Sequence, residues 1–255
     1  MSSDQGRCAG HVCLAFDNRA GLEQRARDFL AAGEAAGELT RFVAADRPAL
    51  PLPFLALGER YPDGAVIDPR AQVAVYAAAT EEAVATGYTG LRVVADVTPL
   101  VRTPAQRDAF ARYEFLIDRY IPDHRYTAMC AYDRTELGDD VIAELACMHS
   151  RADATVPFRL HACPPADGSA ALTGELDLTA HDLLTTTLAR ADLPPAGEVV
   201  LQARGLRFAD HEALLRIQRF ADDHDTTIVL RGASGGLKRL ADLLDLSRLR
   251  VEATR

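Results

Sequence analysis

Acidic residues close four apolar runs in the first half of the chain: His11-Val-Cys-Leu-Ala-Phe-Asp17, Arg41-Phe-Val-Ala-Ala-Asp46, Leu91-Arg-Val-Val-Ala-Asp96 and Tyr126-Thr-Ala-Met-Cys-Ala-Tyr-Asp133. Grouped carboxylates do acid–base work, bind metal ions or anchor a polar ligand. Helical patterns separate most of the runs, so the runs read as strands of a parallel sheet covered on both faces. Such sheets bind ligands at the carboxyl ends of their strands, and Asp17, Asp46, Asp96 and Asp133 fall on that edge. For each of them a plain helix cap or turn competes, since Asp is favoured in any strand-to-helix loop. The turn Asp17-Asn-Arg-Ala-Gly-Leu-Glu-Gln24 carries neither Gly-x-x-x-x-Gly-Lys-Ser/Thr nor Gly-x-Gly-x-x-Gly. Without that cradle of N–H groups, the sheet edge is expected to bind ATP weakly at best and not to hydrolyse it.

Glu114 stands four residues after Phe110 and three before Ile117, on the helix face that should meet the sheet. A buried carboxylate is costly unless paired, so either an arginine such as Arg92 or Arg134 satisfies it or it faces a polar pocket. His11 and Cys13 alternate with Val12 and share one strand face, and Cys147 with His149 repeats the pairing. These four are a zinc-like set, but they lack the Cys-x-x-Cys knuckle. The preferred reading is a histidine that contacts ligand or pins the first strand, with no metal and no cofactor. The candidate ligand site is therefore His11, Cys13, Asp17, Asp96, Tyr113, Glu114, Tyr132 and Asp133, an apolar cavity with a few polar anchors.

Those residues need positioning elements. A first helix shows Leu22, Ala26, Phe29, Leu30 and Gly33 on one face and ends near Gly37. Residues 47–64 read as an irregular crossover. An Ala-rich helix follows from about Pro69 to Gly87, with Ala71, Val75, Ala78, Ala79 and Glu82 along its tight face. Thr103-Pro104 opens a helix through Tyr120, and a further helix runs from about Asp139 to His149. After the polar segment 150–157 the pattern changes. Residues 158–163 and 170–176 are strand-like, joined by a hairpin loop at 164–169. Thr179 caps a helix with Leu183, Leu184, Thr187, Leu188 and Ala191 inward. Strands at 198–203 and 226–231 alternate with a helix capped by Asp210, bearing Leu214, Ile217 and Ala221, and a helix at 236–246.

Two domains, 1–150 and 158–255, fit a length of 255 residues. A net charge of -9 and no Lys/Arg block argue against nucleic acid or an anionic membrane as partner. The first residues lack a signal-peptide apolar core, and no run is long enough to span a membrane. The expected location is the cytoplasm. Of five cysteines, most lie in apolar runs and read as free thiols. Gly232-Ala-Ser-Gly-Gly-Leu-Lys238 has the wrong spacing for a phosphate loop, and no Gly-x-Ser-x-Gly elbow occurs.

The first half resembles the MEDS sensory domain of bacterial regulators, through Gly10-His11-Val12-Cys13, Tyr88-Thr-Gly-Leu-Arg-Val93, Tyr113-Glu114 and Cys130-Ala-Tyr-Asp-Arg134 in that order. The family opening Gly-Asp-His-Ile-Cys lacks its Asp here. The resemblance implies a RecA/KaiC-like α/β fold without a phosphate loop and a role in sensing small organic molecules. The second half resembles a STAS domain of the anti-sigma-factor antagonist type. Val199-Val-Leu-Gln-Ala-Arg-Gly-Leu-Arg-Phe-Ala-Asp210 looks like its central strand and approach to the phosphorylation loop. Ile228-Val-Leu-Arg-Gly-Ala-Ser-Gly-Gly-Leu-Lys-Arg-Leu240 looks like its next strand and helix. That likeness implies an anti-sigma factor or GHKL-type kinase as partner, bound through Asp210, His211 and Glu212. The family loop reads Asp-Ser-Ser/Thr-Gly, but here it is Asp210-His211-Glu212-Ala213, with no alcohol to phosphorylate and Glu212 in its place.

The expectation is a cytoplasmic signalling regulator and not an enzyme: a sensory domain joined to a partner-binding module, with a small organic ligand. The alternative is a hydrolase or lyase using sheet-edge carboxylates or a metal.

Overall fold

Period-two alternation, with every second residue apolar on each side, builds the first sheet. The structure, a computed structural model, describes residues 11–61, 66–163, 169–195 and 197–253. Cys8, Gly10 and most of the expected hairpin loop at 164–169 lie outside the described residues. Strands β1 (His11–Phe16), β2 (Leu39–Ala44), β3 (Phe54–Ala56), β4 (Leu91–Asp96), β5 (Tyr126–Asp133) and β6 (Arg151–Ala152) form one parallel sheet ordered β3-β2-β4-β5-β1-β6. Leu14, Phe16, Phe42, Val94 and Met129 face helix α1 (Arg19–Ala35), which covers that side with Leu22, Ala26 and Leu30. Cys13, Val43, Val93, Cys130 and Tyr132 face the other way, into the larger core. That side is covered by α2 (Pro69–Ala85), α3 (Pro104–Tyr120) and α4 (Arg134–Ala146). The expected parallel sheet with helices on both faces is therefore what the chain forms.

Sequence signals set most boundaries. Thr103 and Gln106 close a capping box at α3, with Pro104 at its first position. Gly37 takes a φ of +76° just past α1, a turn that favours glycine. Three expectations need correction. The supposedly irregular stretch after Asp46 contains β3, which pairs with β2 at the sheet edge. On α2 the buried residues are Gln72, Tyr76, Thr80 and Ala83, while Val75 is exposed. An Ala-rich helix has no strong apolar stripe, and its polar groups found partners: Tyr76 Oη donates to Tyr61 Oη at 3.1 Å, and Gln72 donates to the Arg60 carbonyl at 3.2 Å. Finally, α4 starts at Arg134, capped by Asp133, and crosses a kink at Gly138, whose φ is +79°.

The second sheet joins β7 (Phe158–Ala162), β8 (Ala170–Leu176), β9 (Gly197–Gln202), β10 (Leu206–Ala209), β11 (Thr226–Ala233) and β12 (Leu249–Ala253). Among the described residues, only β7 runs antiparallel, against β8; the remaining pairings are parallel. Helices α5 (His181–Arg190), α6 (His211–Asp223) and α7 (Gly235–Leu243) complete this smaller α/β unit. Asp177, not Thr179, caps the short turn that leads into α5. Of the residues expected inward, Leu184, Thr187, Leu188 and Ala191 are buried and Leu183 is half-buried; Arg190 is buried as well.

The halves are packed on each other. One continuous core runs from Cys13 and Tyr132 through Leu145 and Met148 to Phe158, Leu160 and Leu184. Helices α3 and α4 touch α5, so they lie between the two sheets. Within the segment expected to separate the halves, β6 extends the first sheet beside β1.

Candidate functional site

The sheet face under α3 holds a buried polar cluster. His11 opens β1, and parallel pairing sets Cys13 level with Cys130 and Ala15 level with Tyr132. Alternation turns His11, Cys13, Cys130 and Tyr132 to the same face. One turn apart on α3, Glu114 and Asp118 both point down onto it. His149 arrives from the segment just after α4. Every member is nearly inaccessible: His11 is 1%, Glu114 0% and His149 0% exposed.

His11 Nδ1 lies 2.8 Å from Asp118 Oδ1, and its Nε2 lies 2.8 Å from Glu114 Oε2 and 3.6 Å from Cys130 Sγ. Tyr132 Oη donates to Glu114 Oε1 at 2.6 Å. His149 Nε2 stands 3.3 Å from Glu114 Oε2, and its Nδ1 donates to the Leu145 carbonyl at 2.9 Å. The two imidazoles pack with ring centres 4.4 Å apart. Burial alone would push the Glu114 carboxyl up, but His149 and His11 beside it hold it well below the usual carboxylate range. Burial likewise works against a charged His11, yet Glu114 and Asp118 raise its pKa well above the ordinary value. The Cys130 thiol is pushed up to about 12 by burial and by the neighbouring Glu114. His11 stands between the Glu114 and Asp118 carboxylates. Neither expected arginine serves Glu114: Arg92 pairs with Glu38, and Arg134 stands near Asp17 and Asp139.

The eight expected ligand residues thus divide. His11, Cys13, Glu114 and Tyr132 share the buried face. Tyr113 turns aside into an aromatic group with Phe110, its ring centre 5.3 Å away. Asp17, Asp96 and Asp133 sit at the carboxyl edge. There Asp133 caps α4, accepting from the Thr135 and Glu136 N–H groups. Asp96 accepts from the Thr98 hydroxyl at 2.8 Å and from Arg19 at 3.1 Å, and burial raises its pKa against those bonds. Asp17 is largely exposed, and Asp46 offers Arg19 its carbonyl at 2.7 Å. Asn18, not an acid, caps α1 by accepting from Gly21. A cavity of about 260 Å³ lies elsewhere, along β2, β4 and α2, lined by Val43, Tyr76 and Val93 with Arg41, Arg60 and Glu82.

Sequence reasoning paired Cys147 with the histidines, but its Sγ lies 3.1 Å from Thr187 Oγ1 on α5. Residues two apart at a helix end do not face the same way, so Cys147 and His149 diverge. Asp118 and Cys130 were missed as site members. Asp118 follows Glu114 by four on the same helix, and Cys130 follows Ala128 by two on β5, which were the available signals.

In the second half, Asp210 caps α6, accepting from Ala213 N at 2.8 Å, and both its oxygens lie near His181 Nε2, at 2.9 and 3.0 Å. His211 is exposed. Glu212 reaches forward along its helix to Arg219 at 3.2 Å and Arg216 at 3.3 Å, so its charge is compensated.

The fold defines a parallel α/β domain whose first strand-to-helix turn carries no phosphate loop. Residues 10–150 match the family model of the methanogen/methylotroph DcmR sensory domain, and the chain belongs to that family, MEDS. No curated protein and no solved structure matches the chain. Among the described residues, no helix is long and apolar enough to cross a membrane.

Proposed function

We propose that this chain is a cytoplasmic signalling regulator in which the MEDS domain, responding to a small organic molecule, sets the state of a STAS-like module that binds an anti-sigma factor or GHKL-type kinase. The observation that carries this reading is the double role of α5. Its inner side meets the sensory half: Thr187 touches Cys147, and Arg190 pairs with Asp108 of α3 at 2.8 Å and Glu144 of α4 at 2.9 Å. Its first residue, His181, holds the Asp210 cap at the loop where the STAS resemblance puts the partner. A shift of α4 is therefore transmitted to α6 through one short helix.

The succession of β9, β10, Asp210 and α6 in a small α/β unit is compatible with this reading. The enzyme alternative gains little support, because Asp133 is spent as a cap and Asp96 is tied to Thr98 and Arg19. The test is to mix the full chain with the anti-sigma kinases of its source organism and ATP, following both complex formation and phosphate. A stable complex with no phosphate on residues 210–213 is expected. Failure to bind any of them, or phosphate on His211, contradicts the reading.

A further inference from the structure

We propose that His11, Glu114, Cys130 and His149 form a closed four-ligand site for a divalent metal ion of the zinc type. One ligand atom from each residue lies within 4.8 Å of all the others, and all four residues are buried. Ligand bonds of about 2.0–2.3 Å at tetrahedral angles put N and O atoms about 3.3 Å apart, and N and S about 3.6 Å apart. The His149 Nε2 to Glu114 Oε2 distance is 3.3 Å, and Cys130 Sγ to His11 Nε2 is 3.6 Å. The 2.8 Å separation of His11 Nε2 from Glu114 Oε2 must open by about half an ångström, and the other pairs, all within 4.8 Å, must settle to the same spacing.

The surroundings are those of a metal centre. Each histidine has its far nitrogen engaged, His11 Nδ1 by the Asp118 carboxylate and His149 Nδ1 by the Leu145 carbonyl. That fixes both rings and turns both Nε2 atoms to one point, as outer partners of metal-bound histidines do. Tyr132 orients the carboxylate by donating to its other oxygen. Among the described residues, Glu114 Oε2 and His149 Nε2 have no hydrogen-bond partner although both are fully buried. Close approaches that lack hydrogen-bond geometry leave two buried polar atoms unsatisfied, a condition native proteins avoid and a bound cation removes.

One thiolate, two imidazoles and one carboxylate are a borderline donor set, suited to zinc rather than to magnesium or calcium. With four protein ligands the site is closed, which is the structural kind and leaves no position for a reacting water. The ion would tie β1, β5, α3 and the segment after α4 together, so its binding energy becomes folding energy of the sensory half. Neither Cys13 nor Cys147, the thiols singled out in the sequence, belongs to the set.

The test is to produce the full chain, without a histidine tag or chelators, in cells grown in zinc- or cobalt-supplemented medium, so that loading accompanies folding. Elemental analysis is expected to find about one ion per chain. The cobalt form should show intense visible bands of a tetrahedral centre and a near-ultraviolet thiolate-to-cobalt band. Cys130→Ser should lose the near-ultraviolet band, His149→Ala should lose most of the ion, and Cys13→Ser and Cys147→Ser should keep both features. A wild-type protein folded by circular dichroism that carries less than about a tenth of an ion in both media overturns the proposal. So does a cobalt form without the thiolate band, a result that needs no variant to fold.

Discussion

Cys147 Sγ lies 3.1 Å from Thr187 Oγ1, and this buried contact joins the end of the sensory half to the first helix of the second. Two residues before His149, it brings the polar centre close to the junction. Arg190 reinforces the contact one turn further along α5.

Arg190 is only 8% exposed in its side chain and spans Asp108 and Glu144. Arg190→Ala is expected to cost ~1–3 kcal/mol, since it removes a buried guanidinium whose partners, Asp108 at 60% and Glu144 at 26% exposure, are partly screened by solvent. Calorimetry should show one cooperative transition separating into two as docking weakens. A single transition at the wild-type temperature would contradict the shared core.

Glu114 answers to three buried groups, so Glu114→Gln should lower the unfolding free energy by ~3–5 kcal/mol. Tyr132→Phe removes one hydrogen bond to a charged acceptor and should cost ~1–3 kcal/mol. Urea titrations followed by far-ultraviolet dichroism check both values. A stable Glu114→Gln protein would instead assign the carboxylate to ligand response.

Gly174 takes a φ of +101° within β8, and a Cβ there would come within 2.3 Å of the Pro157 carbonyl oxygen. Gly174→Ala should therefore destabilise the chain by ~2–4 kcal/mol through strain and a backbone clash. Amide exchange should localise the loss to the β7–β8 pairing.

Asp210 has its pKa lowered from 3.8: burial pushes it up, but the Ala213 N–H and His181 hold it down further. A carboxylate whose folded pKa is depressed contributes stability above its unfolded value and loses it as pH falls through the folded one. Stability should thus drop on acidification below about 4, and Asp210→Asn should flatten that slope. At neutral pH the same variant should lose little of the α6 cap, because Asn also caps well.

Much of this arrangement is legible in the chain because it rests on local rules. Strand alternation set His11 and Cys13 on one face, and helical spacing turned Glu114 toward the sheet. What stayed hidden depends on long-range pairing. His149 meets Glu114 in the turn between α4 and β6, which docks beside β1, and a strand of two residues leaves no period to detect. β3, β10 and β12 were passed over for a similar reason, being short or mixed in polarity. The α4 boundary was misplaced because Gly138 marks a kink there, with the helix continuing on both sides. The neighbours of a buried acid also need not be arginines: two histidines and a tyrosine surround Glu114, and spacing does not distinguish them.

The central claim, that the sensory half sets the state of the partner-binding loop through α5, is tested most directly by amide hydrogen exchange on the full chain, comparing wild type with Glu114→Gln. The account predicts faster exchange along α5 and at the first turn of α6, although the substitution lies in the other half. Changes confined to residues 11–152, with α5 and α6 protected as in the wild type, would contradict it.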